Sequence, residues 1–157
     1  MSKFYILFCS ILLLTRCTFA QTVSDEATHL IQLDRDFDLA TAENGVDGWV
    51  AYFAPNGSMF GDTSQPTTGL VAIRAEMEPA FKDTNFSLRW QPMKAEMLIP
   101  DVLGYTVGKW IRLTKSNGKK YRKTGTYTTI WRIQPDKTWK IILDTGHPDG
   151  PAIEMKD

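Results

Sequence analysis

The sequence predicts an α+β fold in which three N-terminal helices pack on one face of a mainly antiparallel sheet. Apolar residues recur every three or four positions in the first half of the chain and alternate with a period of two in the second half. Clusters of Pro, Gly, Asn and Asp separate the segments of the second half, as hairpin connections do. Helices followed by a run of strands are typical of one helical layer on one sheet.

The first helix is expected to follow the capping-box pattern at residues 22–25 and to end near Asn44-Gly45, a good C-cap pair. Its apolar positions are Ala27, Leu30, Ile31, Phe37 and Ala40. The charged residues of this helix are expected to lie largely off the apolar face; they are Asp34, Arg35, Asp36 and Asp38.

Two shorter helices and a brief strand follow. The second helix is predicted over residues 47–53 and the strand over 58–60. A polar loop over 61–68 leads into the third helix, which carries Leu70, Ile73, Met77 and Phe81 at helical spacing. Pro79 is expected to kink or end this helix, because proline lacks the backbone N–H.

Four long strands are predicted over residues 86–99, 103–114, 121–134 and 139–145, with a short frayed tail after Pro148. Alternation along the third of these strands places Tyr127, Thr129, Trp131 and Ile133 on one face, which we assign to the interior. In the last strand, Asp144 shares a face with Lys140 and Ile142. We assign that face, with Arg132, to solvent or to a partner subunit.

The first twenty residues have the pattern of a secretory signal. Lys3 supplies a positive charge, residues 4–14 form an apolar run too short to span a membrane, and Thr18-Phe19-Ala20 is a small-x-small cleavage pattern. We expect cleavage after Ala20, a single mature domain over 21–157 without a membrane span, and a periplasmic or secreted location.

Both cysteines, Cys9 and Cys17, lie in the predicted signal. The mature chain is therefore expected to use neither thiol catalysis nor a cysteine-based zinc site. A lipoprotein anchored through Cys17 is disfavoured, because Arg16 stands where lipoprotein signals carry a small residue.

Charge and motif content exclude several further classes. The chain has 18 Lys and Arg against 18 Asp and Glu, so it lacks the basic footprint of nucleic-acid binding. Only His29 and His147 are present, far apart, and we assign both to solvated or turn positions rather than to a metal site. We find no phosphate-binding loop and no nucleophile elbow, and we predict no cofactor and no metal.

Several stretches, taken in order, resemble the nuclear transport factor 2-like superfamily, in its SnoaL-like and ketosteroid-isomerase-like branch that includes the domain of unknown function 4440. They are Asp34-Arg35-Asp36-Phe37, Gly69-Leu70-Val71-Ala72-Ile73-Arg74, Trp90-Gln91-Pro92, Gly125-Thr126-Tyr127, Trp131-Arg132 and residues 48–57, 103–108 and 139–146. The resemblance implies a cone-shaped fold in which a curved sheet wraps a pocket that helices close. It implies no particular activity. Homodimers are common in this superfamily, and Ile130 and Ile142 would suit such an interface.

The catalytic groups of ketosteroid isomerases are poorly matched. The resemblance places their tyrosine at Asp38 and their second acid at Thr129. Their proton-moving carboxylate falls at Phe60, or at Asp62 after a two-residue loop shift. Steroid isomerisation is therefore disfavoured. Asp62, Arg74 and Asp144 supply the residue types of an epoxide-hydrolase arrangement, without a sequence signal that they converge.

Three functional hypotheses remain open. The first is an exported protein that binds a small apolar or aromatic molecule in an aromatic-lined pocket, and its expected ligand-binding residues are Trp49, Tyr52, Met59, Trp90, Tyr127 and Trp131. The second is a lyase, isomerase or hydrolase that uses the carboxylate of Asp62, with Tyr52, Tyr127 or Asp144 as its hydrogen-bonding partner, so that Asp62 and Asp144 are the expected catalytic acids. The third is a purely structural homodimer whose cone is filled by its own side chains. A carboxylate with a raised pKa facing a cavity would favour the enzyme.

Overall fold

The structure, a computed structural model, describes residues 15–61 and 65–156, with side chains described from residue 25 onward. The predicted signal segment with its cysteines and cleavage site lies outside the described side chains, and so does the predicted capping box apart from Asp25. Export, cleavage after Ala20 and the mature domain boundary therefore stay predictions.

In the part of the chain that the structure describes, three helices form one layer: α1 spans Thr15–Asn44, α2 spans Val46–Ala51 and α3 spans Leu70–Lys82. Gly45 separates the first two at a φ of 59°, a left-handed conformation that glycine adopts without strain, so α1 ends where the Asn44-Gly45 pair predicted. None of the described helices is both long enough and apolar enough to cross a membrane.

The third helix continues through Pro79 to Lys82, so the proline does not end it. Pro79 lies in the last turn, where the missing N–H removes a single helical hydrogen bond. Phe81 extends beyond it and packs against Trp49, with ring centroids 6.1 Å apart. The last turn of the helix thereby brings Phe81 against the core.

Within the described residues the sheet contains seven strands: β1 Phe53–Phe60, β2 Thr67–Thr68, β3 Ser87–Ile99, β4 Leu103–Ser116, β5 Lys119–Ile133, β6 Trp139–Pro148 and β7 Ile153–Met155. Their order is β2-β1-β6-β5-β4-β3, and β7 pairs with β5 beyond the end of β6. The β1–β6 pair is parallel and the others are antiparallel. The predicted α+β class is confirmed.

Two chain segments are more ordered than predicted. β1 begins at Phe53 and contains Pro55, which is accommodated where the register with β6 shifts between Phe53 and Ser58. The tail after Pro148 is not frayed, because β7 pairs with Lys120–Arg122 of β5 and Glu154 forms an ion pair with Lys119 at 2.9 Å.

The hairpin between β4 and β5 sets the register of the longest strand pair. Asn117 and Gly118 form its two-residue turn, with φ values of 50° and 78°, as a type I′ turn requires. In this register Thr106 lies opposite Thr129. Tyr127, Thr129 and Trp131 are buried, which confirms the predicted interior face of β5.

A β-bulge reverses the predicted orientation in β6. Trp131 pairs with Ile141 and Ile130 with Leu143, so Ile142 is left without a partner in the ladder. An extra residue in one strand shifts the side chains beyond it to the other face. Asp144 consequently lies opposite Thr129, on the interior face. The prediction that it shares the outer face with Lys140 is wrong.

Aromatic rings form the centre of the core between the two layers. Phe37 of α1 contacts five other rings at centroid distances between 4.6 and 6.3 Å, and these belong to Trp49, Tyr52, Phe53, Trp90 and Trp131. The aliphatic part of the core consists of Leu30, Met59, Ile73 and Ile141. This cluster fixes α1 and α2 on the sheet.

On the outer face of the sheet, Ile130 lies between Tyr105 and Leu143, and all three are half-buried. Ile142 lies in the bulge and is also half-buried. The homodimer stays a prediction from the sequence.

Close packing of α2 on α1 depends on Gly48, and we expect Gly48→Ala to destabilise the fold by about 1–3 kcal/mol or more. A Cβ at this buried position would lie 2.0 Å from the carbonyl oxygen of Ala40, so the helices would have to separate. Chemical denaturation monitored by circular dichroism measures the change. Gly150→Ala is the matched control, because a Cβ there meets nothing within 4 Å. Equal stability of the two variants would contradict the close approach.

Candidate functional site

A cavity of about 300 Å³ lies between the helices and the interior face of the sheet. Most of its lining is apolar and aromatic: Phe37, Trp49, Met59, Phe60, Met77, Ala80, Phe86, Leu88, Trp90, Trp110, Tyr127 and Pro148. The remaining lining residues are Gly61, Glu76, Arg112, Lys123, Thr129, Asp144 and Gly146. An apolar cavity with a few polar groups is the usual form of a small-molecule site.

Solvent exposure divides the lining into two ends. The inner end comprises the buried lining residues Phe37, Trp49, Met59, Tyr127 and Thr129. The open end comprises the exposed lining residues Phe60, Gly61, Glu76 and Gly146, and Arg112 and Lys123 are half-buried like most of the remaining lining. A ligand would therefore enter past charged side chains and meet aromatic ones further in.

Asp34 of α1 is completely buried beside the inner end. Its carboxylate accepts hydrogen bonds from Trp90 Nε1 at 2.7 Å, from the Tyr127 hydroxyl at 2.9 Å and from Thr106. Burial raises the pKa of Asp34, and the nearby charge of Asp38 acts in the same direction; the three donors oppose them only in part. The prediction that Asp34 lies off the packed face of the helix is wrong.

Tyr127 connects this buried acid to the cavity, since its ring belongs to the lining and its hydroxyl donates to Asp34. Burial and the charge of Asp34 raise the pKa of Tyr127 well above its ordinary value. The tyrosine therefore keeps its proton, and it holds one position because that proton is shared with a fixed carboxylate.

Asp38, one turn further along α1, is buried with a counterion. Arg89 donates to both carboxylate oxygens, with Nη2 2.6 Å from Oδ2, and the Trp90 backbone N–H donates at 2.9 Å. The prediction that Asp38 lies off the packed face is also wrong. Its contacts make it a structural anchor rather than a counterpart of the isomerase tyrosine.

Asp144 lies in the cavity wall, where the bulge at Ile142 directs it. The Thr129 hydroxyl donates to its Oδ1 at 2.6 Å. Burial raises the pKa of Asp144 to about 7, the Thr129 hydrogen bond opposes the shift, and the charge of Asp34 adds to it. A carboxyl group with such a pKa exchanges protons near neutral pH, which is the requirement for a general acid or base.

The structure brings four of the six predicted ligand-binding residues into the lining: Trp49, Met59, Trp90 and Tyr127. Tyr52 and Trp131 lie outside it. Tyr52 packs against Phe37, and Trp131 is fully buried with its Nε1 donating to Thr106 at 2.9 Å. Of the two predicted catalytic acids, Asp144 lines the cavity, whereas Asp62 lies outside the described residues.

Arg74 does not join Asp144, because it pairs with Asp47 at 2.6 Å on the surface of the helical layer. The epoxide-hydrolase arrangement is therefore not assembled among the described residues. His29 and His147 are both exposed and neither lines the cavity. In the described part of the chain, no group of three or more metal-ligating side chains converges.

Several residues that line the cavity were not predicted from the sequence, although simple sequence patterns indicate them. Lys123 is an even number of positions from Tyr127 and Thr129 on β5, so the three residues share one face of the strand. Arg112 lies opposite Lys123 on β4. Trp110 lies across Gly125, where a Cβ would come within 2.4 Å of its ring. Extending the period-two alternation to the whole β4–β5 pair would have placed all three on the interior face.

No protein-family model matches the sequence, and no curated protein is significantly similar to it. Solved structures do match. A ketosteroid isomerase-like protein from Erwinia carotovora atroseptica superposes with a TM-score of 0.63 at 9% identity, covering 74% of this chain and 90% of that one. A nuclear transport factor 2-like protein with a cystatin-like fold from Novosphingobium aromaticivorans gives a TM-score of 0.63 at 11% identity, covering 88% and 92%.

A third match is a nuclear transport factor 2-like protein of unknown function from Shewanella oneidensis, with a TM-score of 0.60 at 16% identity over 74% of this chain and 94% of that one. The fold is therefore the nuclear transport factor 2-like cone, as the resemblance implied. At these identities the likeness extends to the fold and not to the chemistry of the cavity.

The raised pKa of Asp144 predicts a specific pH dependence of stability. The folded state binds this proton more tightly than the unfolded state, so the free energy of unfolding should fall as the pH rises from about 4 to 7 and then stay level. Asp144→Asn removes the group and keeps an acceptor for Thr129. We expect it to be more stable than the wild type at pH 8, by at most about 4 kcal/mol, and similar at pH 4.

Urea denaturation at several pH values measures this difference. Asp101→Asn, in the exposed turn between β3 and β4, removes the same charge away from the cavity. A stability difference between wild type and Asp144→Asn that does not change with pH would show that Asp144 titrates at its ordinary pKa.

Proposed function

We propose that this protein binds a small, mainly apolar molecule in the cavity between its helices and its sheet. The observation that carries the proposal is the lining itself, in which aromatic and aliphatic side chains surround about 300 Å³ and only a few polar groups interrupt them. This volume is at the lower end of the range for small-molecule sites. It suits a compound of one to three rings better than a large cofactor.

Three tryptophans of the lining also supply a readout for binding. Trp49, Trp90 and Trp110 all line the cavity, so a bound aromatic compound will change their fluorescence. Trp49 and Trp90 are held by packing, with ring centroids 5.6 Å apart in an edge-on arrangement. Rings fixed in this way lose little conformational entropy when a ligand packs against them. A cone filled by its own side chains is less well supported, because the cavity remains between the layers.

We expect Ala80→Phe to weaken ligand binding at least about tenfold, because a benzyl group from α3 would occupy part of the cavity. The probes are 2-naphthol and 4-phenylphenol, titrated while tryptophan fluorescence is recorded. Ala75→Phe is the matched control, since Ala75 is exposed on the same helix and does not line the cavity. It should leave the dissociation constants unchanged.

Saturable binding that is equally strong in the wild type and in Ala80→Phe would place the probe elsewhere on the protein. Absence of saturable binding by both probes to the folded wild type would count against the proposed function for ligands of this size.

A second candidate function, proton-transfer catalysis, is favoured by one specific observation: Asp144 lines the cavity with a pKa raised to about 7. Thr129 donates to its Oδ1, which leaves Oδ2 to accept a substrate proton. The step we propose is removal of a proton from carbon next to a carbonyl group. The C–H bond breaks, the proton moves to Asp144 and the electron pair forms an enolate, which later takes a proton back.

Hydrogen–deuterium exchange at the α-carbons of 2-tetralone, followed by NMR in D₂O, tests this step. We expect the protein to accelerate the exchange, with a rate that rises through an apparent pKa of about 7 and then levels off, because only the ionised carboxylate acts as a base. Asp144→Asn should lose the acceleration by about a hundredfold or more.

The control variant Asp101→Asn should retain the acceleration of hydrogen–deuterium exchange. Acceleration that persists in Asp144→Asn would remove this carboxylate from the mechanism. Binding of 2-tetralone without faster hydrogen–deuterium exchange would contradict the catalytic function and support ligand binding alone.

A further inference from the structure

Trp49, at the inner end of the cavity, carries a buried hydrogen-bond donor that no described residue accepts. Its side chain belongs to the lining, and the residue is only 6% exposed. The indole Nε1 is itself buried and has no acceptor among the described residues. A buried indole N–H normally has a partner, because an unpaired donor in the interior is costly. A ligand that brought an acceptor to this N–H would remove that cost.

The other indole and hydroxyl donors of the described lining already have acceptors within the chain. The four pairs, at 2.6–3.0 Å, are Trp90 Nε1 with Asp34, the Tyr127 hydroxyl with Asp34, Trp110 Nε1 with the Thr126 carbonyl oxygen, and the Thr129 hydroxyl with Asp144. Glu26 Oε2 and Thr41 Oγ1 are also buried without a partner in the described part of the chain, but neither residue lines the cavity. Among the donors of these two kinds, the one left for a ligand is therefore Trp49 Nε1.

Four aromatic rings fix the orientation of this N–H. The ring centroids of Phe37, Phe53, Phe81 and Trp90 lie between 5.0 and 6.1 Å from that of Trp49. Turning the indole toward a different acceptor would disturb all four contacts in a close-packed core. Trp90 stands edge-on to Trp49, and an N–H that rests on a ring face is bound more weakly than one that donates to oxygen. An oxygen acceptor on a ligand would therefore meet a donor that is already in position.

The charges around the inner end favour an uncharged acceptor. Asp34, Asp38 and Asp144 each raise the pKa of Tyr127, so the negative field of these carboxylates reaches the lining at this end. Such a field opposes the entry of a ligand anion. A carbonyl oxygen accepts a hydrogen bond without carrying a charge, whereas a hydrocarbon leaves the N–H unpaired.

We infer that the ligand of this cavity is an uncharged ring compound with a carbonyl group, and that Trp49 determines this specificity by donating its indole N–H to the carbonyl oxygen. The inference rests on the proposed function, because it concerns the ligand of the same cavity. It also orients the ligand, since the oxygen lies at the inner end and the rings extend along the apolar lining toward the open end.

Two pairs of compounds test the inference: 1-tetralone with tetralin, and 1-indanone with indane. The members of each pair share a ring system and differ in the carbonyl group. NMR titration or isothermal titration calorimetry gives the dissociation constants, and their ratio within a pair measures the preference for the ketone. For at least one pair, we expect Trp49→Phe to reduce this preference about fivefold or more, as the loss of one hydrogen bond predicts. The smaller ring affects both members of a pair, so the ratio isolates the N–H.

Trp139→Phe is the matched control. Trp139 is partly buried against the core and lies outside the lining, so the same substitution removes no donor from the cavity. The variant should retain the preference of the wild type for the ketone. A loss in Trp139→Phe equal to that in Trp49→Phe would attribute the effect to a loosened core and overturn the inference.

The indole N–H signals of the ¹⁵N-labelled wild type give a second measurement, which decides the question even where Trp49→Phe does not fold. Nuclear Overhauser contacts with neighbouring rings assign these signals. We expect the Nε1 proton of Trp49 to lie further downfield in the ketone complex than in the hydrocarbon complex, because a hydrogen bond to oxygen deshields it. The signals of Trp90 and Trp110 should differ little between the two complexes, because their N–H groups already donate within the chain.

The failures of the inference and of the proposed function are distinguishable. A Trp49 signal that is the same in the ketone and hydrocarbon complexes, for both pairs, would overturn the inference and leave the proposed function standing. A preference for the ketone that persists unchanged in folded Trp49→Phe would also overturn it. Absence of saturable binding by all four compounds to the folded wild type would count against the proposed function itself, and against the inference with it.

Discussion

The hydrogen bonds to the carboxylate of Asp34 join the helical layer to the sheet. Trp90, Thr106 and Tyr127 donate to it from three adjacent strands, β3, β4 and β5. A buried carboxylate is costly unless donors surround it, and a donor is costly unless it has an acceptor. The four groups therefore depend on one another, and they set both the height and the rotation of α1 above the sheet. One turn further along, the contacts of Asp38 with Arg89 and Trp90 extend the same attachment toward the cavity.

This attachment also determines where the cavity lies. Asp34 and Phe37 hold α1 over β3 and over the inner part of β4 and β5, so the interior face beyond them stays uncovered by that helix. Trp110, Arg112 and Lys123 lie on this uncovered part. Trp110 packs there against Gly125 and Gly146, and a Cβ at Gly125 would collide with its ring. The fold thus leaves a cavity whose inner wall is buried and whose outer wall carries partly exposed, charged side chains.

Much of the fold follows from the sequence because its signals are local. The change of period after residue 83, the Asn117-Gly118 turn and the helix end at Asn44-Gly45 each depend on a few neighbouring residues. The site was less predictable. Asp34 and Asp38 lie four and eight positions after Leu30, which places them on the buried face of α1 together with Phe37 and Thr41. A charged side chain on a helix is normally solvated, so this spacing did not predict their burial. Their burial is decided by donors on distant strands, which local patterns do not reveal.

The orientation of Asp144 was unpredictable for a related reason. Strict alternation places it outside with Lys140, and only the unpaired Ile142 turns it inward. A bulge depends on the register of the partner strand, here the pairing of β5 with β6, and a single strand carries no signal for it. Asp144 could therefore be predicted from the sequence as a possible catalytic acid, but strand alternation placed it on the wrong face of the sheet.

The chemistry of the cavity depends on the same carboxylate that ties the layers together. The charge of Asp34 raises the pKa of Asp144, and it also raises the pKa of Tyr127, which holds its proton against Asp34. Any change that neutralised Asp34 would loosen the attachment of α1 and, at the same time, make Asp144 a stronger acid. Stability and proton affinity are therefore coupled through one buried group. A family likeness in fold does not predict this coupling, because it depends on the residues at positions 34, 127 and 144 and not on the path of the backbone.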